Sequence, residues 1–146
     1  MASTEAFNAA KNVVGMYGIF FKTVAQEIGM ERALALQSKA YETFGSELAE
    51  MFKEPDLNKL ASQINEMNKG YGTVAETNVE PTKIVFKILK CPWYEGLQAA
   101  GLSQEEIRAW CQHSGEGQIL PNITGSIVRF RSSADDYCIE EIEVKK

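Results

Sequence analysis

The fold is decided by residues 83–95, which read KIVFKILKCPWYE. Ile84, Phe86 and Ile88 occur at every second position, so an extended chain places all three on one face of a strand. Pro92 has no backbone N–H and a fixed φ, and the strand is therefore expected to end at the preceding cysteine. The stretch predicts an apolar strand with a thiol at its end, followed by a turn into a helix.

The 70 residues before this region have a helical pattern. Apolar residues recur at alternating spacings of three and four over 7–28 and again over 30–51. Gly29 fits the left-handed residue that ends the first of these helices. A third helix is predicted after its cap, Asp56, and is expected to end before Gly70.

Strand patterns dominate the second half of the chain. Strands are predicted at 73–79 and 83–90, and a second pair at 119–131 and 137–144, with a turn at 132–136.

Two short helices are predicted between the strand pairs. The first covers residues 93–100. The second begins after Ser103, whose spacing from Glu106 is that of a capping box, and is expected to end at Gly115.

The length of 146 residues and the hydrophobic fraction of 45% are those of one globular domain. We therefore predict an α+β fold in which the N-terminal helices of residues 1–70 pack on a four-stranded, largely antiparallel sheet. The cysteine-bearing part, residues 71–146, would have the order β-β-α-α-β-β.

Charge argues against two classes of partner. The net charge is −5, and the 15 lysines and arginines form no basic run, so nucleic acid and anionic membrane surfaces are not expected partners. The apolar run 13–21 is too short to span a bilayer. Three cysteines cannot all pair within one chain, which favours a cytoplasmic protein.

Cys91, Cys111 and Cys138 each lie at or near the end of a predicted element, and such ends can meet in space. Three thiolates with one further ligand, such as His113 or Glu95, can hold zinc or another divalent metal. Two other interpretations stay open: the cysteines are small buried hydrophobes, or they are reactive thiols that face a substrate.

The segment from Cys91 to Glu95 is the strongest candidate for chemistry. A helix that begins near Trp93 would stabilise a Cys91 thiolate as nucleophile, with Glu95 or His113 transferring protons. Trp93 and Tyr94 could form the walls of a pocket for a flat ligand. The alternative is that both aromatic side chains anchor the short helix to the core.

The first helix carries a second candidate patch. Gly15 and Gly18 each cost a helix about 1 kcal/mol relative to alanine, which predicts close approach by another element or a ligand. Tyr17 and Phe20 beside them are candidate ligand-binding residues. Internal packing, a dimer face and an apolar ligand cavity are all compatible with this pattern.

The segment from Ile84 to Ile142 resembles a small prokaryotic family related to 2-aminothiazoline-4-carboxylate hydrolases. The motifs that carry the resemblance are Cys91-Pro92, Cys111, Pro121-Asn122 and Cys138. The resemblance implies hydrolysis of a C–N bond in a small cyclic compound.

A more distant similarity is to the 4-vinyl-reductase-like, haem–nitric-oxide-like ligand-binding superfamily. It implies helices and a sheet around an apolar cavity, with zinc bound by cysteines and a glutamate in some members. This chain departs from that pattern, because Arg108 stands three residues before Cys111, where the glutamate would be.

The residues and the resemblance together predict a small-molecule-binding protein with a pocket between helices and sheet. Its rim would carry Cys91, Cys111, Cys138, Trp93 and Tyr94. Three functions follow: a hydrolase of small cyclic compounds, a non-catalytic module that binds an apolar ligand or a metal, and a homodimer formed through a helix.

Overall fold

The computed structural model describes residues 4–51, 54–117, 128–130 and 137–143. In chain order the elements are α1 (Thr4–Ile28), α2 (Met30–Met51), α3 (Leu57–Gly70), β1 (Val74–Val79), β2 (Lys83–Lys90), α4 (Pro92–Ala99), α5 (Gln104–Gly117), β3 (Val128–Phe130) and β4 (Cys138–Glu143). The α+β class, with helices in the N-terminal half, is confirmed. No helix in these ranges is both long and apolar enough to cross a bilayer.

Local capping signals set several of the helix ends. Gly29 separates α1 from α2 with φ +90°, a left-handed conformation that glycine adopts without strain. The side chain of Asp56 accepts a hydrogen bond from the Lys59 N–H at 3.0 Å and so caps α3. The capping box of α5 is also formed, because Ser103 and Glu106 exchange side chain to backbone hydrogen bonds of 2.7 and 3.2 Å.

Two helices end later than the sequence predicts. α3 includes Gly70 and has Tyr71 as its C-cap, and α5 continues past Gly115 to Gly117. A helical glycine carries only a modest propensity cost, so it does not by itself stop a helix that is already propagating.

The sheet has the strand order β1-β2-β4-β3, and every neighbouring pair is antiparallel. Three strands of six to eight residues form its body. β3 lies within the strand predicted at 119–131 and pairs with β4, and the rest of that predicted strand lies outside the described residues. The predicted turn at 132–136 lies outside the described residues.

The buried face of the sheet is covered by α3. Ile84, Phe86 and Ile88 are all buried, as their alternation predicts. They form one cluster with Leu60, Ala61 and Ile64 of α3 and with Ile142 of β4. Full burial of each large side chain stabilises the fold by roughly 1.5–3 kcal/mol.

A second cluster joins α1, α2, α4 and α5. At its centre are Trp110 and Leu97, which are 1% and 0% exposed. The rings of Tyr17 and Tyr41 meet Trp110 edge to face, with centroids 6.1 and 5.8 Å away. These helices therefore have an apolar core of their own, in addition to the one between α3 and the sheet.

The crossing of α1 and α4 depends on glycine. A Cβ atom on Gly18 would stand 2.8 Å from the Cβ of Ala100, and one on Gly96 would stand 2.7 Å from the carbonyl oxygen of Lys11. Gly15 is in ordinary contact with the Gly96 carbonyl oxygen, at 3.5 Å. The close approach predicted from the glycines of α1 is thus made by α4 and is tightest at Gly18.

Candidate functional site

An apolar groove of about 350 Å³ lies between α1, the end of α3 and the start of α4. Five residues of α1 at helical spacing form one wall: Ala6, Ala9, Ala10, Val13 and Val14. The other side includes Tyr71 and Trp93, whose rings are nearly perpendicular with centroids 5.0 Å apart. The residues that line this groove carry no formal charge.

The start of α4 positions Trp93. Cys91 is the N-cap, with the extended backbone angles φ −133° and ψ 117°, and Pro92 occupies the first turn. The Cys91 sulfur accepts a hydrogen bond from the Tyr94 N–H at 3.5 Å. The predicted helix after the Cys-Pro pair is confirmed, and it begins one residue earlier than expected, at Pro92.

Glu95 forms an ion pair that connects α4 to α1. Its carboxylate lies 3.2 Å from the Lys11 ammonium, and both side chains are about one third exposed. An ion pair with this exposure contributes about 0–1 kcal/mol to stability. The residue predicted to transfer protons for Cys91 is therefore held by Lys11 in this structure.

The three cysteines divide between the two apolar clusters. Cys91 and Cys138 pack at the edge of the cluster between α3 and the sheet, whereas Cys111 packs against the helical cluster. All three are half-buried, and no disulfide links them. Within the described ranges no group of three His, Cys, Asp or Glu residues could hold a metal, so the prediction of a three-cysteine metal cluster is not supported.

His113 lies in the last part of α5. Its Nδ1 is 3.0 Å from the carbonyl oxygen of Ala109, one turn earlier in the same helix. One of the two ring nitrogens of His113 is therefore hydrogen-bonded within α5. The expected partnership of His113 with a cysteine stays a prediction.

A polar chain that is buried at Gln37 and Ser114 crosses the helical cluster. The Tyr17 hydroxyl donates to Gln37 Oε1, Gln37 Nε2 donates to Ser114 Oγ at 3.0 Å, and the Ser114 hydroxyl donates to the Trp110 carbonyl oxygen at 2.7 Å. Gln37 and Ser114 are 2% and 0% exposed. Burial raises the pKa of the Tyr17 phenol above its usual value.

Sequence reasoning missed Gln37 and Ser114, which continue the polar chain from Tyr17. Gln37 occupies a position in the apolar rhythm of the second helix, and a polar residue on a buried face was the available signal. In the same region Trp110 Nε1 is buried, and no described residue accepts a hydrogen bond from it.

The predicted ligand-binding residues are not gathered at the groove. Trp93 lines it, but the other five do not: Tyr94, Cys111, Cys138, Tyr17 and Phe20. The groove also lies on α1, α3 and α4 rather than against the strands, where the sequence placed a pocket.

Comparisons of the chain with protein-family models, with curated proteins and with solved structures find no significant match.

Proposed function

We propose that this protein is a small-molecule-binding module whose groove takes a flat, apolar ligand. The observation that carries the proposal is the wall of two aromatic rings, Tyr71 and Trp93, opposite the alanines of α1. The volume of about 350 Å³ lies at the lower end of the range for ligand pockets.

The shape of the groove favours an aromatic ligand. The rings of Tyr71 and Trp93 are nearly perpendicular, with centroids 5.0 Å apart. An aromatic ring of the ligand can therefore contact the edge of one and the face of the other. The small side chains of Ala6, Ala9 and Ala10 leave room along α1 for a planar group. Because no lining residue is charged, affinity would come from burial of apolar surface.

The test is titration with 1-anilinonaphthalene-8-sulfonate, followed by its fluorescence. Ala9→Leu adds a branched side chain inside the groove, and Ala35→Leu makes the same change at an exposed position of α2. The proposal expects Ala9→Leu to weaken probe binding by about tenfold or more, since leucine fills the space that the ligand needs. Equal binding by the two variants would overturn it.

A second candidate function is hydrolysis of a C–N bond in a small cyclic compound, as the family resemblance implies. One observation favours it: Cys91 caps α4 and accepts the Tyr94 N–H, a position that stabilises a thiolate. In such a reaction water adds across the C–N bond and the ring opens. The test is incubation with 2-aminothiazoline-4-carboxylate, with mass spectrometry to detect the product that has gained one water. No conversion, or conversion unchanged in Cys91→Ser, would exclude a catalytic Cys91.

A further inference from the structure

Helix α1 has a second apolar face that the fold leaves exposed. Val13, Met16 and Phe20 are 66%, 73% and 65% exposed. With Ala9 they follow spacings of four, three and four residues, which places them in one narrow sector of the helix. We call these four residues the outer face of α1. Large exposed apolar side chains in one contiguous row mark an interaction surface.

The outer face is complementary to itself in the antiparallel direction. A twofold axis midway between Val13 and Met16 places Phe20 of one copy level with Ala9 of the other. The same axis places Met16 opposite Val13. Each pair joins a larger side chain to a smaller one, as interdigitated helices require.

The groove supplies the matching hole. Ala6, Ala9, Ala10 and Val13 stand at positions i, i+3, i+4 and i+7, the arrangement of four residues that receives one side chain from a facing helix. Together with Trp93 and Tyr71, these residues enclose a volume of about 350 Å³. The space is large enough for a phenylalanine ring.

We propose that α1 docks antiparallel on α1 of a second copy of this chain, with Phe20 of each copy seated in the groove of the other. Dimerisation then closes the groove, so dimer formation and small-molecule binding exclude one another. Only this last consequence rests on the function proposed above.

Charge favours a second copy over a membrane or nucleic acid. The cations of α1 lie away from the outer face: Lys11 pairs with Glu95, and Lys22 donates to the Gly101 carbonyl oxygen at 2.7 Å. The residues that flank the outer face toward the two helix ends include Glu5 and Glu27, both exposed. A helix that binds anionic lipid or phosphate has cations in such positions.

The available area is that of a weak, reversible dimer. The exposed fractions of Val13, Met16 and Phe20 leave roughly 400 Å² on each copy, or about 800 Å² for the pair, which is below the ~1,000 Å² of a stable specific interface and matches a weak, transient one. The alanine wall, Tyr71 and Trp93 add to this area. We therefore expect an association that depends on protein concentration.

The first experiment measures oligomeric state by sedimentation equilibrium over a range of concentrations. Phe20→Ser removes the side chain that fills the groove, and Ile19→Ser is its control because Ile19 is 59% exposed but lies off the outer face. We expect Phe20→Ser to weaken dimerisation by about 30-fold or more, as loss of a central aromatic anchor does. Ile19→Ser should change the dissociation constant of the dimer by no more than about twofold. A monomeric wild type, or equal effects of the two variants, would overturn the proposal.

The second experiment tests the antiparallel register with charged variants. Val13→Glu, Val13→Lys and Met16→Lys should each prevent self-association, because a charge would be buried at the interface. Mixing Val13→Glu with Met16→Lys should restore a dimer, since these positions face each other. Mixing Val13→Glu with Val13→Lys should restore less. The opposite order of recovery would mean a parallel pair and would overturn the antiparallel arrangement.

Probe binding separates this proposal from the ligand-binding proposal. With the monomeric Phe20→Ser variant, 1-anilinonaphthalene-8-sulfonate should bind at least as tightly as with the wild type, and its affinity should not vary with protein concentration. A wild-type dimer that binds the probe independently of protein concentration would refute closure of the groove. A Phe20→Ser monomer that binds no probe would refute the ligand-binding function, but it would not contradict the proposed dimer.

Discussion

Gly96 of α4 lies so close to Val14 of α1 that a Cβ atom on Gly96 would stand 2.8 Å from the Val14 Cβ. The crossing fixes α4 relative to α1. Because α4 begins at Pro92 and carries Trp93, this contact also sets the width of the groove.

Gly96→Ala should therefore destabilise the protein. The added methyl group meets backbone and a branched side chain, neither of which can turn away, so we expect a loss of about 1–3 kcal/mol, less up to about 1 kcal/mol gained in helix propensity. Gly70→Ala in α3 is the control, since nothing lies within 4 Å of a Cβ there. Urea denaturation measures both free energies of unfolding. Equal values for the two variants would contradict the tight crossing.

Gln37→Leu should also destabilise the fold, although leucine has a similar size. It leaves the Ser114 hydroxyl without the hydrogen bond from Gln37 Nε2 and removes the acceptor of the Tyr17 hydroxyl. We expect a cost of about 1–3 kcal/mol for an incompletely satisfied buried network. Gln63→Leu on the exposed side of α3 should change the free energy of unfolding by less than about 0.5 kcal/mol.

Cys91 should be the first of the three thiols to react with iodoacetamide at neutral pH, followed by Cys138 and then Cys111. Its sulfur accepts a backbone N–H at a helix N-terminus, where the thiolate is stabilised. Peptide mass spectrometry over a time course gives the order of labelling. If Cys111 is labelled before Cys91, the assigned role of the N-cap thiol is wrong.

The N-cap itself can be tested by a matched pair of variants. Cys91→Ser keeps a side chain that accepts the Tyr94 N–H, so stability should be retained or improved. Cys91→Ala removes the acceptor and should cost about 1 kcal/mol. Thermal unfolding of the two variants provides the comparison, and equal midpoints would show that the sulfur does not stabilise α4.

Stability should fall at alkaline pH in part through Tyr17. Burial raises the pKa of this phenol above its ordinary value of 10.0, so the folded state keeps the proton to higher pH than the unfolded state. The stabilisation that the protonated Tyr17 phenol contributes is complete below about pH 10, and it is lost as the pH rises above that value. The free energy of unfolding of the wild type should thus decrease more between about pH 9 and 11 than that of Tyr17→Phe. Parallel curves for the two proteins would contradict this assignment.

Much of the local structure could be predicted from the sequence because its causes are local. The Asp56 cap, the Ser103–Glu106 capping box and the start of α4 after Cys91 each depend on residues within one turn of helix. The burial of Ile84, Phe86 and Ile88 follows from their alternation in β2. These features needed no knowledge of distant contacts.

The positions of the cysteines along the elements could be predicted from the sequence, but their grouping in space could not. Cys138 opens β4 and Cys91 follows the end of β2, as expected, and both pack at the same apolar cluster. Cys111 lies in a helix that packs on α2 instead, so it joins the other cluster. A position at the end of an element could be predicted, but the choice between two apolar clusters depends on how whole helices pack.

The sequence by itself determined the order of the elements, their class and most of their ends, since spacing and capping act over a few residues. Tertiary structure alone decided that Gln37 meets Tyr17 and Ser114, across separations of 20 and 77 residues. It also decided that the alanines of α1 face Tyr71 and Trp93, and that Val13, Met16 and Phe20 stay exposed. A continuous apolar pattern shows that a helix has more than one apolar side, but only packing determines which side is covered.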